Sequence, residues 1–301
     1  MARDATSMVT ASTRVVDVIN DPVLGDAARL LLPAEGWYWS GDTLDALSYT
    51  WYMRLDTQTT VDVVNRLRAD AAAGGQVFYD IYTEEERRAD PAKRDTGLYF
   101  FRGDPGAHVA IVSAGGGFAY VGAMQDSFPH CLALSKKGYN AFALIYRPGA
   151  QTACEDLARA IAFVYQHEDE LDVTMDGYSL WGGSAGARMA AWLGSYGTEG
   201  FGERAYPRPV AVVMQYTGLS EVYGNEPPTY SCVGTSDGIA SWRTMDCRIR
   251  AIKARGTDAM IEVYEGLPHG FGLGVGTVAE GWLDNAAAFW ERQLKRGNAC
   301  R

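Results

Sequence analysis

Short apolar runs alternate with longer segments of helical periodicity along most of the chain. Runs rich in β-branched and aromatic residues predict strands. These runs lie at residues 77–83, 97–101, 108–114, 141–146, 178–183, 210–216, 230–235 and 259–266. Apolar positions that share one face predict helices at 127–138, 154–168, 241–256 and 278–296, with another directly after residue 184. This alternation indicates an α/β fold, with a mostly parallel sheet covered by helices on both faces.

The two ends of this pattern differ from its middle. The strands at 77–83 and 97–101 are joined by a charged turn at 84–95, and we expect them to pair antiparallel. Residues 1–75 are expected to form a helical extension and possible cap, and residues 76–301 the α/β domain. Helical spacing within the extension predicts helices at 42–54 and 59–75.

The extension is rich in aromatic residues. They are Trp37, Tyr38, Trp39, Tyr49, Trp51 and Tyr52. Two interpretations stay open. The rings line a pocket for a ligand, or they hold the extension against the domain.

Composition narrows the class of partner. The net charge is −10, which argues against a nucleic-acid-binding protein, because such a protein needs a basic face to displace counterions. No window of about 18 apolar residues predicts a membrane span, and the first 25 residues lack the apolar stretch of a signal peptide. We therefore expect a cytoplasmic protein whose partner is a small molecule. A homodimer is left open.

The five cysteines do not have the spacing of a metal site. Cys131 and Cys154 lie in apolar contexts and are expected in the core. A bridge between Cys232 and Cys247 stays open, although a reducing compartment argues against it.

The segment Gly182-Gly183-Ser184-Ala185-Gly186 has the G-x-S-x-G pattern. It follows a predicted strand and precedes a predicted helix, which is the placement that a nucleophile elbow requires. Small residues on both sides of the serine allow the strand and helix backbones to approach closely. Ser184 is therefore the candidate nucleophile.

A serine hydroxyl needs a base, and the base needs a carboxylate. His269 lies in a glycine-rich loop after the last strand, at the edge where α/β sheets carry their chemistry. Asp237 lies just past another strand, so the chain order is Ser, Asp, His, as this type of fold requires. Asp246 and Glu221 are competing carboxylates. Of the other histidines, His130 could border the site, whereas His108 and His167 are expected away from it.

Three consecutive glycines, Gly115, Gly116 and Gly117, follow the strand at 108–114. Their amides can approach a substrate oxygen closely, and the amides of Gly116, Gly117 and Ala185 are the candidate oxyanion hole. The rival interpretation is a phosphate-binding loop. This segment lacks both the Lys-Ser/Thr of a P-loop and the G-x-G-x-x-G spacing.

Four stretches, AGGGF (114–118), GGSAG (182–186), SD at Asp237 and PHGF (268–271), together resemble the α/β-hydrolase superfamily. More narrowly, the chain resembles hormone-sensitive-lipase-like esterases and acyl-carbohydrate esterases. One difference is Ala114, because the lipase-like branch usually has a histidine there. The resemblance implies an α/β-hydrolase fold in which N-terminal helices often cover the pocket.

The same resemblance implies a serine esterase that uses Ser184, Asp237 and His269 through an acyl-enzyme. Its expected substrates are small to medium acyl esters, including acylated sugars. No metal or other cofactor is expected. A lactonase, an amidase or a peptidase could use the same triad, and a non-catalytic ligand-binding homologue could keep the same pocket.

Overall fold

The computed structural model describes residues 8–50 and 55–299. Trp51 and Tyr52, the last four residues of the helix predicted at 42–54, and Cys300 lie outside the described residues.

An eight-stranded sheet forms the centre of the molecule. Its strands are β3 (Phe78–Tyr79), β4 (Gly97–Phe101), β5 (His108–Ser113), β6 (Asn140–Ile145), β7 (Thr174–Gly183), β8 (Ala211–Gln215), β9 (Thr229–Gly234) and β10 (Ala259–Tyr264). Their spatial order is β10-β9-β8-β7-β5-β6-β4-β3. From β6 to β10 neighbouring strands run parallel, whereas β3 and β4 are antiparallel to their neighbours. The predicted mostly parallel sheet is therefore confirmed.

The predicted antiparallel pair at the start of the sheet is present, but the connection is not the tight turn expected. A short helix, α3 (Glu84–Ala89), and a 3-10 helix (Pro91–Asp95) separate β3 from β4. Thr83 caps α3 by accepting a hydrogen bond from the Glu86 amide, and the Glu86 carboxylate accepts one from the Thr83 amide. This reciprocal capping box satisfies two amides that would otherwise lack partners, so a charged segment becomes a helix.

Helices cover both faces of the sheet. They are α4 (Ala123–Asp126), α5 (Phe128–Ser135), α6 (Ala150–Gln166), α7 (Glu168–Leu171), α8 (Ala185–Tyr196), α9 (Trp242–Ala254) and α10 (Trp282–Ala299). Alternate residues of β4 belong to two different hydrophobic cores, because successive side chains of a strand point to opposite faces. One core contains residues of α5 and α10, and the other contains residues of α6 and α8.

The N-terminal segment is only partly helical. Its elements are α1 (Val15–Val18), 3-10 helices at Gly25–Leu31 and Gly36–Tyr38, β1 (Trp39–Ser40), β2 (Ser48–Tyr49) and α2 (Thr57–Ala72). The last of these corresponds to the helix predicted at 59–75. It begins two residues earlier, because Asp56 caps it by accepting a hydrogen bond from the Thr59 amide at 2.7 Å.

The helix predicted at 42–54 is wrong over its described part. Residues 42–47 form a turn, and β2 pairs antiparallel with β1. Hydrogen bonds to distant residues explain the difference: the Leu44 amide donates to Thr13, and the Val15 amide donates to Asp42. These long-range contacts override a local helical preference that is weak by comparison.

The N-terminal segment and the sheet share one hydrophobic core. Buried Val9, Leu31 and Val64 belong to the same cluster as Trp181 of β7 and Trp290 of α10. Within the described ranges, no helix combines the length and the apolar character that crossing a bilayer requires.

Candidate active site

Ser184 lies on a sharp turn between β7 and α8. Its φ is 51° and its ψ is −112°, a left-handed conformation that costs a non-glycine residue of order 1 kcal/mol or more. Its amide donates to the carbonyl of Gln215, at the end of the neighbouring β8, at 2.9 Å. The strained turn therefore carries the hydroxyl to the carboxyl edge of the parallel strands, where such sheets carry their chemistry.

Both glycines of the motif are required by close backbone contacts. A β-carbon on Gly182 would lie 2.2 Å from the carbonyl carbon of Gly186. A β-carbon on Gly186 would lie 2.0 Å from the carbonyl oxygen of Ser113 in β5. Neither contact leaves room for a side chain, so the strand and the helix meet as the sequence pattern indicates.

His269 lies between Ser184 and Asp237, in the loop that follows β10. Its Nε2 is 3.1 Å from Ser184 Oγ, and its Nδ1 is 2.8 Å from Asp237 Oδ2. The side chain of His269 is 9% exposed and that of Asp237 is fully buried. The structure thus brings the three sequence-predicted residues together, with His269 between Ser184 and Asp237.

The second oxygen of the Asp237 carboxylate is also bound. Oδ1 accepts hydrogen bonds from the amides of Ile239 and Ala240, at 2.8 and 2.7 Å. Asp237 therefore stabilises its own turn while its other oxygen faces the imidazole. The competing carboxylates have other contacts: Asp246 forms an ion pair with Arg250 at 2.6 Å, and Glu221 is exposed.

The other histidines do not contact this cluster directly. The ring of His108 contacts the Asp176 carbonyl, and that of His167 contacts the Phe163 carbonyl. His130 is buried with its Nε2 3.0 Å from Gln215 Oε1. The carbonyl of the same Gln215 accepts the hydrogen bond from the Ser184 amide, so Gln215 connects His130 to the Ser184 turn. Burial lowers the pKa of His130 to about 4, and its imidazole is neutral near pH 7.

The glycine loop begins against the first turn of α8, where a β-carbon on Gly186 would lie 2.7 Å from the carbonyl oxygen of Ala114. Gly116 and Gly117 have φ values of 127° and 63°, and the carbonyl of Ala114 accepts a hydrogen bond of 2.7 Å from Tyr146. No acceptor within residues 8–50 and 55–299 takes a hydrogen bond from the amides of Gly116, Gly117 or Ala185. Ala185 is the first residue of α8, where a helix leaves its amides unpaired and carries partial positive charge. The three expected donors are therefore available to an external oxygen.

A cavity of about 490 Å³ opens beside His269. The start of α2 (55–59), Met124 and Gln125 of α4, and the loop at 267–277 supply most of its lining. Trp37, Tyr38, Trp39 and Tyr49 do not line it. Tyr38 instead stacks on Tyr120 at 4.6 Å between ring centroids, and the Tyr49 hydroxyl accepts a hydrogen bond from Met124. For Tyr38 and Tyr49, the interpretation as contacts that hold the extension in place agrees with these positions.

A comparison with family models matches residues 102–226 to BD-FAE. This region contains the glycine loop and Ser184, but neither Asp237 nor His269. No curated protein matches the sequence significantly.

Several solved structures superpose on the chain. An acetyl ester-xyloside bifunctional hydrolase from Caldicellulosiruptor lactoaceticus does so with a TM-score of 0.63 and 21% identity, over 71% of this chain and 95% of that one. A propionate-bound esterase from Thermogutta terrifontis gives 0.60 and 22%, over 71% and 93%. MGS-M1, an α/β hydrolase from a Medee basin deep-sea metagenome library, gives 0.57 and 18%, over 66% and 93%. The chain has the α/β-hydrolase fold.

Several residues around the candidate site were not predicted from the sequence. Gln125 lines the cavity, and its amide nitrogen donates to the Gly270 carbonyl next to His269 at 2.6 Å. Leu55 and the first turn of α2 reach the cavity from more than 200 positions away in sequence from His269. No local sequence pattern indicates such contacts. Asp56 was recognisable as a helix cap, because it precedes an apolar helical stretch, but a cap does not reveal that the start of the helix lines a cavity.

The four cysteines in the described residues are all free. Cys131, Cys154 and Cys232 are buried and Cys247 is exposed. Cys232 and Cys247 are therefore not bridged, and the predicted core positions of Cys131 and Cys154 are confirmed. Burial raises the pKa of the Cys154 thiol to about 12, so it stays protonated.

Proposed function

We propose that this protein is a serine hydrolase that cleaves carboxylic esters, with Ser184 as nucleophile, His269 as base and Asp237 as the partner of the base. The observation that carries the proposal is the position of His269, within hydrogen-bonding distance of both Ser184 Oγ and Asp237 Oδ2. A serine becomes a useful nucleophile only when a base can accept its proton, and this arrangement supplies that base.

The reaction has two halves. Ser184 Oγ attacks the ester carbonyl while His269 Nε2 accepts its proton, and the carbonyl oxygen becomes an oxyanion bound by the amides of Gly116, Gly117 and Ala185. His269 then donates that proton to the leaving alcohol as the carbon–oxygen bond breaks, which leaves an acyl-enzyme. Water attacks the acyl group with His269 again as base, and the acid and free Ser184 are regenerated.

Asp237 has a separate task in this scheme. Because Oδ2 accepts from Nδ1, the ring presents Nε2 without a proton to Ser184. The carboxylate also stabilises the imidazolium that forms during attack. No metal or organic cofactor takes part in these steps.

Esters are the favoured substrates because of what similar structures bind. Structures of the Thermogutta terrifontis esterase contain propionate or butyrate, and the Caldicellulosiruptor lactoaceticus protein is an acetyl ester-xyloside bifunctional hydrolase. At identities of 21–22%, these names suggest short acyl groups for this chain and support an ester as the substrate class.

The cavity supports an acylated sugar as the substrate. His269 must reach the leaving oxygen to protonate it, and His269 lines the cavity whereas Ser184 does not. We therefore place the alcohol, rather than the acyl group, in the cavity. Hydrogen-bonding side chains line that cavity together with apolar ones: Asp56, Thr57, Gln58, Thr59, Gln125 and Thr277, with Leu55, Met124, Leu267, Phe271, Leu273 and Val275. A sugar presents both hydroxyls and apolar ring faces, which this mixture can contact. The free cysteines agree with a cytoplasmic location.

The test is a comparison of the wild-type protein with Ser184→Ala, using Ser220→Ala, an exposed serine, as the control. We expect p-nitrophenyl acetate and butyrate hydrolysis to disappear in the first variant and persist in the second. A fluorophosphonate probe should label the wild type and not Ser184→Ala. Ester hydrolysis that survives in folded Ser184→Ala would refute the assignment.

A substrate panel then separates the finer proposals. Acetylated xylosides, simple alkyl esters, lactones and anilides are compared by kcat/KM. Faster turnover of lactones or anilides would replace the esterase proposal with a lactonase or an amidase on the same residues. Labelling without turnover of any of them would favour a ligand-binding homologue.

A further inference from the structure

Asp126 is a buried carboxylate that the proposed chemistry does not use. It ends α4 and is 0% exposed. Its Oδ2 accepts a hydrogen bond from the Gly115 amide at 3.1 Å, and its Oδ1 accepts one from the hydroxyl of Tyr216. Gly115 directly precedes the two expected oxyanion donors of the glycine loop.

The same carboxylate lies against the strand that carries the nucleophile. A β-carbon on Gly183, the residue before Ser184, would lie 2.7 Å from Asp126 Oδ2. A side chain there would displace the carboxylate, so the second glycine of the Gly182-Gly183 pair has a reason of its own. Asp126 therefore contacts both the glycine loop and the end of β7.

Tyr216 extends these contacts to the third part of the site. Its hydroxyl also accepts a hydrogen bond from the Gly272 amide at 3.3 Å, in the loop that contains His269. Its ring packs against the His269 ring, with 4.8 Å between centroids, and against Phe271 at 4.9 Å. Burial and the charge of Asp126 raise the pKa of Tyr216 well above its usual value. The hydroxyl therefore stays protonated and donates a hydrogen bond to Asp126.

The backbone at Tyr216 is strained. Its φ is 36°, in the left-handed region that a large side chain rarely adopts. Such strain persists only where surrounding contacts enforce it, and it concentrates at functional sites. Tyr216 is completely buried, and its amide donates to the Cys232 carbonyl at 2.8 Å.

We propose that Asp126 and Tyr216 are positioning residues that fix the glycine loop, the Ser184 turn and the His269 loop relative to one another. The inference rests on the proposed function, because it assigns the pair to that reaction. Neither residue touches the substrate. Asp126 orients the amides of Gly116 and Gly117 through Gly115, and Tyr216 holds the imidazole through its ring and the Gly272 amide.

A carboxylate suits this position because both of its neighbours donate. Hydrogen bonds to an ionised acceptor are about twice as strong as those between neutral groups. In Asp126→Asn the charge is lost and one oxygen becomes an amide nitrogen. If that nitrogen faces the Gly115 amide, two donors oppose each other and the loop must shift. If it faces Tyr216, the hydroxyl oxygen accepts from it and the hydroxyl proton loses its acceptor on residue 126. Either arrangement weakens these contacts, although the volume of the side chain is unchanged.

The test compares Asp126→Asn and Tyr216→Phe with Asp21→Asn. Asp21 is the control because it is also buried, at 2% exposed, and forms an ion pair with Arg68, and neither of the two lines the cavity. We expect Asp126→Asn to lower kcat per labelled site about 10- to 100-fold, with KM changed less than about threefold. Tyr216→Phe keeps the ring and should lower kcat roughly 3- to 10-fold. Asp21→Asn should lower the melting temperature and leave kcat unchanged.

A second measurement separates positioning from stability. A trifluoromethyl ketone forms an adduct whose oxyanion needs the glycine-loop amides, whereas the corresponding methyl ketone binds largely without them. Asp126→Asn should weaken the first inhibitor by about the factor lost in kcat and leave the second unchanged. If folded Asp126→Asn and Tyr216→Phe both had the kcat of the wild type and were inhibited as strongly as the wild type, the inference would be overturned.

Failure of the proposed function would look different. If Ser184→Ala kept ester hydrolysis, the esterase assignment would fall whatever Asp126→Asn did. If the wild type hydrolysed no ester, the rate of fluorophosphonate labelling at Ser184 would replace kcat, because phosphonylation also places charge on an oxygen at the oxyanion site. Unchanged labelling rates in both variants would then overturn the positioning role. If Asp126→Asn failed to fold, Tyr216→Phe alone would decide.

Discussion

Gly186, in the first turn of α8, packs directly against the carbonyl oxygen of Ser113 at the end of β5. A β-carbon at Gly186 would come within 2.0 Å of that oxygen, which is part of the backbone and cannot rotate away. The close approach of these two segments fixes where α8 begins, and with it the turn between β7 and α8 that carries Ser184.

Gly186→Ala should therefore be strongly destabilising. We expect a loss of about 3 kcal/mol or more in the free energy of unfolding, because the helix must move away from the sheet. Urea denaturation followed by circular dichroism measures this. The control is Gly297→Ala in α10, where an added β-carbon meets nothing within 4 Å, and alanine should be neutral or slightly stabilising. Similar stabilities for the two variants would contradict the packing described.

Asp237→Asn should remove most activity without unfolding the protein. An asparagine at this position favours the wrong imidazole tautomer, and losses of about 10⁴-fold in kcat are typical of such a change. Steady-state kinetics with p-nitrophenyl acetate measure the loss. Asp246→Asn is the matched control, since Asp246 pairs with Arg250 on α9, and its kcat should stay within about twofold of the wild type. A comparable loss in both variants would remove Asp237 from its proposed role.

Val275→Trp should discriminate against large alcohols. Val275 lines the cavity beside His269 and is 52% exposed, so an indole there fills space without entering the core. We expect kcat/KM for acetylated xylosides to fall about tenfold or more, while that for methyl or ethyl esters changes little. Val278 is 65% exposed and does not line the cavity, so Val278→Trp is the control. Equal losses for large and small alcohols would place the alcohol elsewhere.

His130 should make the protein less stable in acid. Its pKa is lowered from 6.5 to about 4 by burial, so between these values the unfolded chain binds a proton that the folded protein does not. Stability therefore falls as the pH falls from 6.5 to 4, by up to about 3 kcal/mol from this group. His130→Gln removes that contribution. Urea unfolding of both proteins at pH 7, 5.5 and 4.5 should show a shallower decline in the variant, and parallel declines would contradict the assignment.

The strands were predictable from sequence because burial on both faces leaves long apolar runs between polar turns. The runs at 97–101, 108–114 and 141–146 correspond closely to β4, β5 and β6. Chain order alone did not determine how the strands lie side by side, because β5 lies between β7 and β6 through crossovers that no local signal encodes. The segment 42–50 was mispredicted for a related reason, since its hydrogen bonds go to Thr13 and Val15.

Some residues of the candidate site were predictable from the sequence and others were not. Ser184, His269 and the three glycines belong to short motifs whose chemistry restricts which residues can occupy them. Asp126 and Tyr216 belong to no such motif. The role proposed for them depends on contacts between distant parts of the chain, among them a buried hydrogen bond between residues 90 positions apart, which only the folded structure brings together.

The order of the strands has a consequence for synthesis of the protein. Ser184 follows β7, whereas Asp237 and His269 follow β9 and β10, so the ribosome completes the segment around Ser184 well before it reaches His269. On the roles proposed above, a nascent chain that ends before residue 269 has Ser184 but lacks the histidine that accepts its proton. The proposed hydrolytic activity would then begin only after β10 has been made and its loop has folded beside Ser184.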